Sequence, residues 1–87
     1  MQHLHWREIL SQGDEFVVTL GSQANVMIMT DHDYSNYNGG RQFNYYGGRA
    51  VRSPIHLTAP RAGAWNLVID LGGGSGSIRH NVQVVRH

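Results

Sequence analysis

The 87-residue sequence contains no cysteine and no lysine. Without cysteine there is no disulfide, no thiolate nucleophile, and no Cys-based zinc or redox site. That absence fits a reducing compartment, so a cytoplasmic location is the expectation, although periplasmic proteins also do without cysteine. Long apolar runs are missing as well. Nowhere do about 18 apolar residues follow one another, as a membrane-crossing helix requires, so no membrane association is expected. The first residues, Met1 to Glu8, lack a cationic segment leading into an apolar one, and no secretory signal is expected. All seven basic side chains are Arg against six acids, a net charge of +1. That is too small to imply a polyanion, and no nucleic-acid partner is expected. Arg favours bidentate and stacking contacts over Lys, but a GC-rich coding bias explains its exclusive use more simply. Six histidines raise the net charge steeply below about pH 6.5.

What the chain does have is glycine, 11 residues of it, spaced between short segments in which apolar residues alternate. Alternation is the strand period. Trp65, Leu67, Ile69 and Leu71 share one face of a segment from Ala64 to Leu71, with Asn66 and Asp70 opposite. Ile78, Val82 and Val84 share a face between Ser77 and Val85. The run Gly72-Gly73-Gly74-Ser75-Gly76 reads as a hairpin joining these two strands. Phe16, Val18 and Leu20 alternate; Val26 and Ile28 follow; Ile55, Leu57 and Ala59 alternate with His56 and Thr58. Leu4 and Trp6 point one way on a first strand, and His3, His5 and Arg7 the other. Gly47-Gly48 has the composition of a two-residue hairpin turn. Only residues 31–38 break the pattern. There Asp33 can cap at most one helical turn near 33–38, ended by Gly39-Gly40.

Eighty-seven residues make one domain, 1–87, which buries only about 60% of the surface of its unfolded chain. The expected fold class is all-β: a small β-sandwich or flattened, jelly-roll-like barrel of seven to eight short antiparallel strands. Uncapped sheet edges on so small a domain also allow a homodimer formed edge to edge.

Catalytic signals are weak. Gly73-Gly74-Ser75-Gly76-Ser77 fails the G-x-S-x-G pattern at its last position and lies between strands rather than at a strand-to-helix turn. Asp31-His32-Asp33-Tyr34-Ser35-Asn36 opens like a calcium loop. However, Asn36 stands where that loop needs glycine, and Gln42 where it needs a bidentate Glu. Asp31 and Asp33 are therefore expected as turn and cap residues. His3 and His5, two apart on one strand face, make a workable zinc pair without an evident third ligand. Asp70, in mid-strand, is expected to face outward against an Arg such as Arg79. No metal, cofactor or catalytic set is expected.

The one segment whose composition points to binding holds Tyr34, Tyr37, Arg41, Phe43, Tyr45, Tyr46, Arg49 and Arg52. Tyrosine with arginine is the composition of interfaces and of stacking platforms. The competing reading is that Phe43 and Tyr45 face the core while the others anchor loops.

Asn44-Tyr45-Tyr46-Gly47-Gly48, Ser53-Pro54, and above all the run from Pro60 through Ala62-Gly63-Ala64-Trp65 to Gly73 resemble a bacterial family known as domain of unknown function 1883. Its members are small all-β domains, stand-alone or joined to TIR domains. The resemblance implies a sensing or partner-binding role and brings no catalytic residues. The turn before Trp65 is also similar to the closing hairpin of jelly-roll modules of secreted enzymes. The expected function is thus a non-catalytic binding module for a protein or small ligand, acting through Tyr34 to Arg52. The alternative is a carbohydrate-binding jelly-roll, with a structural calcium near Asp31 and Asp33.

Overall fold

Alternating segments become strands that bury one face each, and here they do so in two stacked sheets. The computed structural model describes residues 3–71 and 78–87. The strands are β1 (His3–Leu10), β2 (Glu15–Leu20), β3 (Ala24–Met29), β4 (Tyr46–Ala50), β5 (Ile55–Thr58), β6 (Gly63–Asp70) and β7 (His80–Val85), with helix α1 (Asp31–Asn38) between β3 and β4. One sheet has the order β1-β6-β3-β4 and the other β5-β2-β7, with antiparallel pairing throughout. The result is an open β-sandwich rather than a closed barrel. No helix among the described residues is long and apolar enough to cross a membrane.

The alternating residues meet where the pattern requires. Phe16 and Val18 from β2, Val26 and Ile28 from β3, and Trp65, Leu67 and Ile69 from β6 are buried together between the sheets. Leu4 and Trp6 from β1, Ile55 from β5, and Val82 and Val84 from β7 pack against them. At about 25 cal/mol per Å² of apolar surface, this inter-sheet layer is the main source of stability in so small a domain.

A second apolar layer lies on the other face of the four-stranded sheet. Met27 and Met29 of β3 and Val68 of β6 are buried there with Tyr37 of α1, and Tyr34 and Phe43 close the rim. The chain is therefore three layers deep on this side. The helix is longer than the single turn expected: it spans eight residues, and its N-cap is Thr30 rather than Asp33. Thr30 Oγ1 accepts from the Asp33 amide at 3.2 Å and donates to the Asp33 carboxylate at 3.0 Å. Such reciprocal capping starts a helix one turn earlier than Asp33 alone would.

Two expected hairpins are absent. Strands β6 and β7 lie in opposite sheets, so the glycine-rich run does not join a paired hairpin; residues 72–77 themselves lie outside the described residues. Gly47 and Gly48 do not form a turn but sit inside β4, opposite Met27 and Val26. Gly47 has φ +116°, and a Cβ there would lie 2.2 Å from the Val26 carbonyl oxygen. Glycine is needed for close approach of two backbones, not for chain reversal.

Candidate functional site

Period-two patterning also orders the outer face of the four-stranded sheet. His3 pairs with Asp70 and Asp70 with Asn25, while Asn25 pairs with Arg49, so one polar row crosses all four strands. A parallel row runs His5, Val68, Met27 and Gly47. Helix α1 covers the β1–β6 end of these rows. Beyond the helix, the segment from Gly40 to Tyr45 folds back over β3 and leaves a cleft of about 450 Å³. Met27, Phe43 and Tyr45 supply its apolar walls; Arg41, Arg49 and Asp70 are its charged lining groups.

Asp70 corrects the expectation from sequence. It does point away from the inter-sheet core, but it is only 6% exposed, because α1 covers that face. Its ladder neighbours are His3 and Asn25 rather than an arginine. Its carboxylate accepts a 2.5 Å hydrogen bond from the Tyr37 hydroxyl. Burial, and then the hydrogen bond to Asp70, push the Tyr37 phenol well above its ordinary range, so it stays a donor. Asn66, on the same face, is 1% exposed. Its amide nitrogen donates to the Met29 carbonyl at 3.3 Å and to Asp31 at 2.7 Å. That leaves its oxygen to accept from His5 Nε2 at 2.8 Å, which assigns the proton on this ring to Nε2.

The histidine pair and the Asp31/Asp33 pair are held by these networks. His5 stacks on Tyr34 with ring centroids 3.9 Å apart, and His3 Nε2 is hydrogen bonded to the Tyr34 hydroxyl at 3.1 Å. Asp31 receives a bidentate contact from Arg7 at 3.0 and 2.9 Å. The Arg7 and then the Asn66 hydrogen bonds hold its carboxyl down to about 2. Asp33 accepts from Thr30 and from the Asn44 amide. Among the described residues no group of three or more His, Asp or Glu is disposed to hold a metal ion.

Of the residues expected from sequence, Tyr37, Arg41, Tyr45 and Arg49 meet at the cleft. Tyr34 does not line it; it packs the outer apolar layer beside it. Tyr46 turns towards the other side, edge-on to Trp65 at 5.9 Å. Arg52 lies beyond the end of β4, away from the cleft. Tyr45 faces outward, 48% exposed, whereas Phe43 is half-buried, edge-on to Tyr37 at 5.1 Å. Sequence reasoning missed Asn25, Met27 and Asp70 as lining residues. The available signal was the unbroken apolar run from Val26 to Met29, since a strand without polar alternation is buried on both faces.

The two guanidiniums are anchored without being neutralised. Arg41 Nε donates to the Asn36 side-chain oxygen at 2.9 Å, and Arg49 donates to the Gln23 side-chain oxygen. Neither is in an ion pair among the described residues, whereas Arg7 and Arg86 are. A held but uncompensated arginine is suited to bidentate capture of a carboxylate or phosphate.

No curated protein and no solved structure matches the chain. The sequence model of the family described as Domain of unknown function (DUF1883) matches residues 1–87, its whole length. The chain, an all-β sandwich with an arginine- and tyrosine-lined cleft on one outer face, therefore belongs to the DUF1883 family.

Proposed function

We propose that this domain is a non-catalytic recognition module whose partner or ligand enters the cleft beside α1. One observation carries the reading: Arg41 and Arg49, both without a carboxylate partner among the described residues, converge with the half-exposed Tyr45 on a single concavity of about 450 Å³. Ligand sites are typically concavities of about 300–1,000 Å³ with apolar walls and a few placed polar groups. The non-catalytic part is supported by the lining itself. Asp70 is engaged by Tyr37, and no second carboxylate or histidine lines the cleft among the described residues to complete an acid–base pair.

A second reading, carbohydrate binding, is favoured by one feature, the Tyr45 ring beside the Asn25 amide and the Asp70 carboxylate. No calcium enters this reading, since Asp31 and Asp33 already serve Arg7, Asn66, Thr30 and Asn44.

A thermal-shift panel of mono- and oligosaccharides, carboxylates, nucleotides, acidic peptides and divalent metals tests both. A ligand at about 100 times its Kd adds about 2.7 kcal/mol, several degrees for a domain of this size. The expected result is a shift from one anionic class that disappears in Tyr45→Ala and Arg49→Ala, variants whose unliganded melting stays near wild type. A shift from sugars that persists in Arg49→Ala and disappears in Tyr45→Ala favours the second reading. Shifts that persist in both variants contradict the cleft as the site.

A further inference from the structure

Tyr45 is not the end of the cleft but a ridge between two. On its far side lies a second concavity of about 390 Å³, with Asn44, Tyr46 and Arg61 among its lining residues. Arg61 sits with its guanidinium 5.2 Å from the centre of the Trp65 ring and is in no ion pair among the described residues. The second concavity thus repeats the composition of the first: an exposed tyrosine, an arginine outside any ion pair among the described residues, and one carboxylate, here Asp33. The carboxylates nearest each side are already occupied, Asp70 by Tyr37 and Asp33 by Thr30 and the Asn44 amide. These neutral donors do not cancel the carboxylates' charge, but three arginines (Arg41, Arg49 and Arg61) face two carboxylates here, and Asp70 is buried, so the balance along this line is positive.

Dimensions decide what can use both sides. Arg49 and Tyr46 stand three residues apart on β4, about 10 Å at the rise of a strand. Arg61 lines only the second concavity, so a compact ligand confined to the first cleft leaves it unused. An extended peptide advances about 3.3 Å per residue, so roughly four to six residues cover both concavities. Carboxylates match planar, forked guanidiniums, and a rigid tyrosine between them supplies contact area at low entropic cost. We infer that the occupant is an extended acidic peptide segment of a partner protein, draped over Tyr45 with carboxylates set against Arg41 and Arg49 on one side and Arg61 on the other. This rests on the first cleft being the recognition site.

The test is selection of displayed hexapeptides of random sequence on the intact domain, followed by fluorescence-polarisation titration of enriched peptides and of their Asn/Gln counterparts. Enriched peptides should carry two or more Asp or Glu residues separated by two to four positions. They should bind at least about tenfold more tightly than the amide versions, in keeping with the strength of charge-assisted hydrogen bonds, and weaken as salt is raised. Arg49→Ala and Arg61→Gln should each weaken binding about five- to tenfold. Arg61→Gln is a fair probe because the Trp65 Nε1 hydrogen bond goes to the Arg61 backbone carbonyl at 3.0 Å and survives the change; a melting curve checks this. If Arg49→Ala abolishes binding while Arg61→Gln leaves it unchanged, the occupant is confined to the first cleft; the peptide inference is then overturned and the cleft reading stands. If neither variant matters, both are overturned. Enrichment of neutral or basic peptides, or of none, also overturns the inference.

Discussion

The Tyr37 hydroxyl reaches across the boundary between α1 and the four-stranded sheet to donate a 2.5 Å hydrogen bond to the buried carboxylate of Asp70. This contact fixes the helix on the sheet at the point where the cleft begins, so the wall carrying Arg41 is held by a bond inside the outer apolar layer. Removing the donor with Tyr37→Phe takes one hydrogen bond from a buried carboxylate, which costs about 1.5–3 kcal/mol for a bond to a charged group. A double-mutant cycle with Asp70→Asn, read by urea unfolding, should show a coupling of at least about 0.5 kcal/mol. Strict additivity would mean that the two side chains act independently. Tyr37→Ala is a poor probe of binding, because it also opens a hole in the outer layer.

Helix α1 is polar, with Tyr37 as its buried residue, so its position depends on its cap and on docking more than on amphipathicity. Thr30→Ala should cost about 1 kcal/mol and lower the melting temperature by several degrees. It should also weaken any ligand of the first cleft, whose wall continues from the helix. Thr30→Ser, which keeps the capping oxygen, should restore both properties.

Among the described glycines, position 47 should be the least tolerant. Gly47→Ala combines φ +116° with a Cβ 2.2 Å from the Val26 carbonyl oxygen, whereas Gly40, at φ +71°, has nothing within 4 Å of an added Cβ. Gly40→Ala should cost on the order of 1 kcal/mol, the strain of a left-handed residue. Gly47→Ala should cost clearly more, because β4 must separate from β3. Equal melting temperatures for the two variants would contradict this strand pairing.

Acid should unfold the domain through carboxylates whose native pKa is depressed. Asp31 is held down to about 2 by the Arg7 hydrogen bonds and then by Asn66. Asp14 is lowered by the backbone amides of His87 and then Ser11, and Glu15 by the hydrogen bond from His56. A group with a native pKa below its unfolded value stabilises the fold above the unfolded value, near 4 for Asp and Glu. That contribution is lost as pH falls through the native value. For Asp31 the loss falls between about pH 4 and pH 2. Urea midpoints should therefore drop across this window, and Asp31→Asn should be less stable at neutral pH and flatten part of the drop. An unchanged slope in Asp31→Asn would contradict the role of Arg7 and Asn66.

Strands β1, β2, β3, β5, β6 and β7 and the inner faces of β2, β3, β5 and β6 were legible in the sequence because alternation reports directly which side chains share a face. What alternation does not report is whether the other face is covered. Asp70 therefore reads as outward-facing, with Asn66 on the same face, although both are buried. Gly47-Gly48 carries the composition of a hairpin, yet the same freedom at positive φ also serves close backbone approach within a strand, and local sequence does not separate the two uses. The partner of β6 was misread for a related reason: adjacency in sequence favours a hairpin with β7, while the actual neighbours β1 and β3 are non-local. At the candidate site, composition singled out Tyr37, Arg41, Tyr45 and Arg49, which the fold brings together. It also singled out Tyr46 and Arg52, which register and strand ends carry elsewhere.

The most direct test of the cleft as recognition site is an amide NMR titration of the isotope-labelled domain with an acidic hexapeptide pool and with a small-carboxylate pool. The expected result is a contiguous set of shifts on Asn25, Met27, Tyr37, Arg41, Phe43, Tyr45 and Arg49, extending to Arg61 with the peptides alone. Shifts confined to the opposite sheet, β5-β2-β7, or no shifts with either pool, would contradict it.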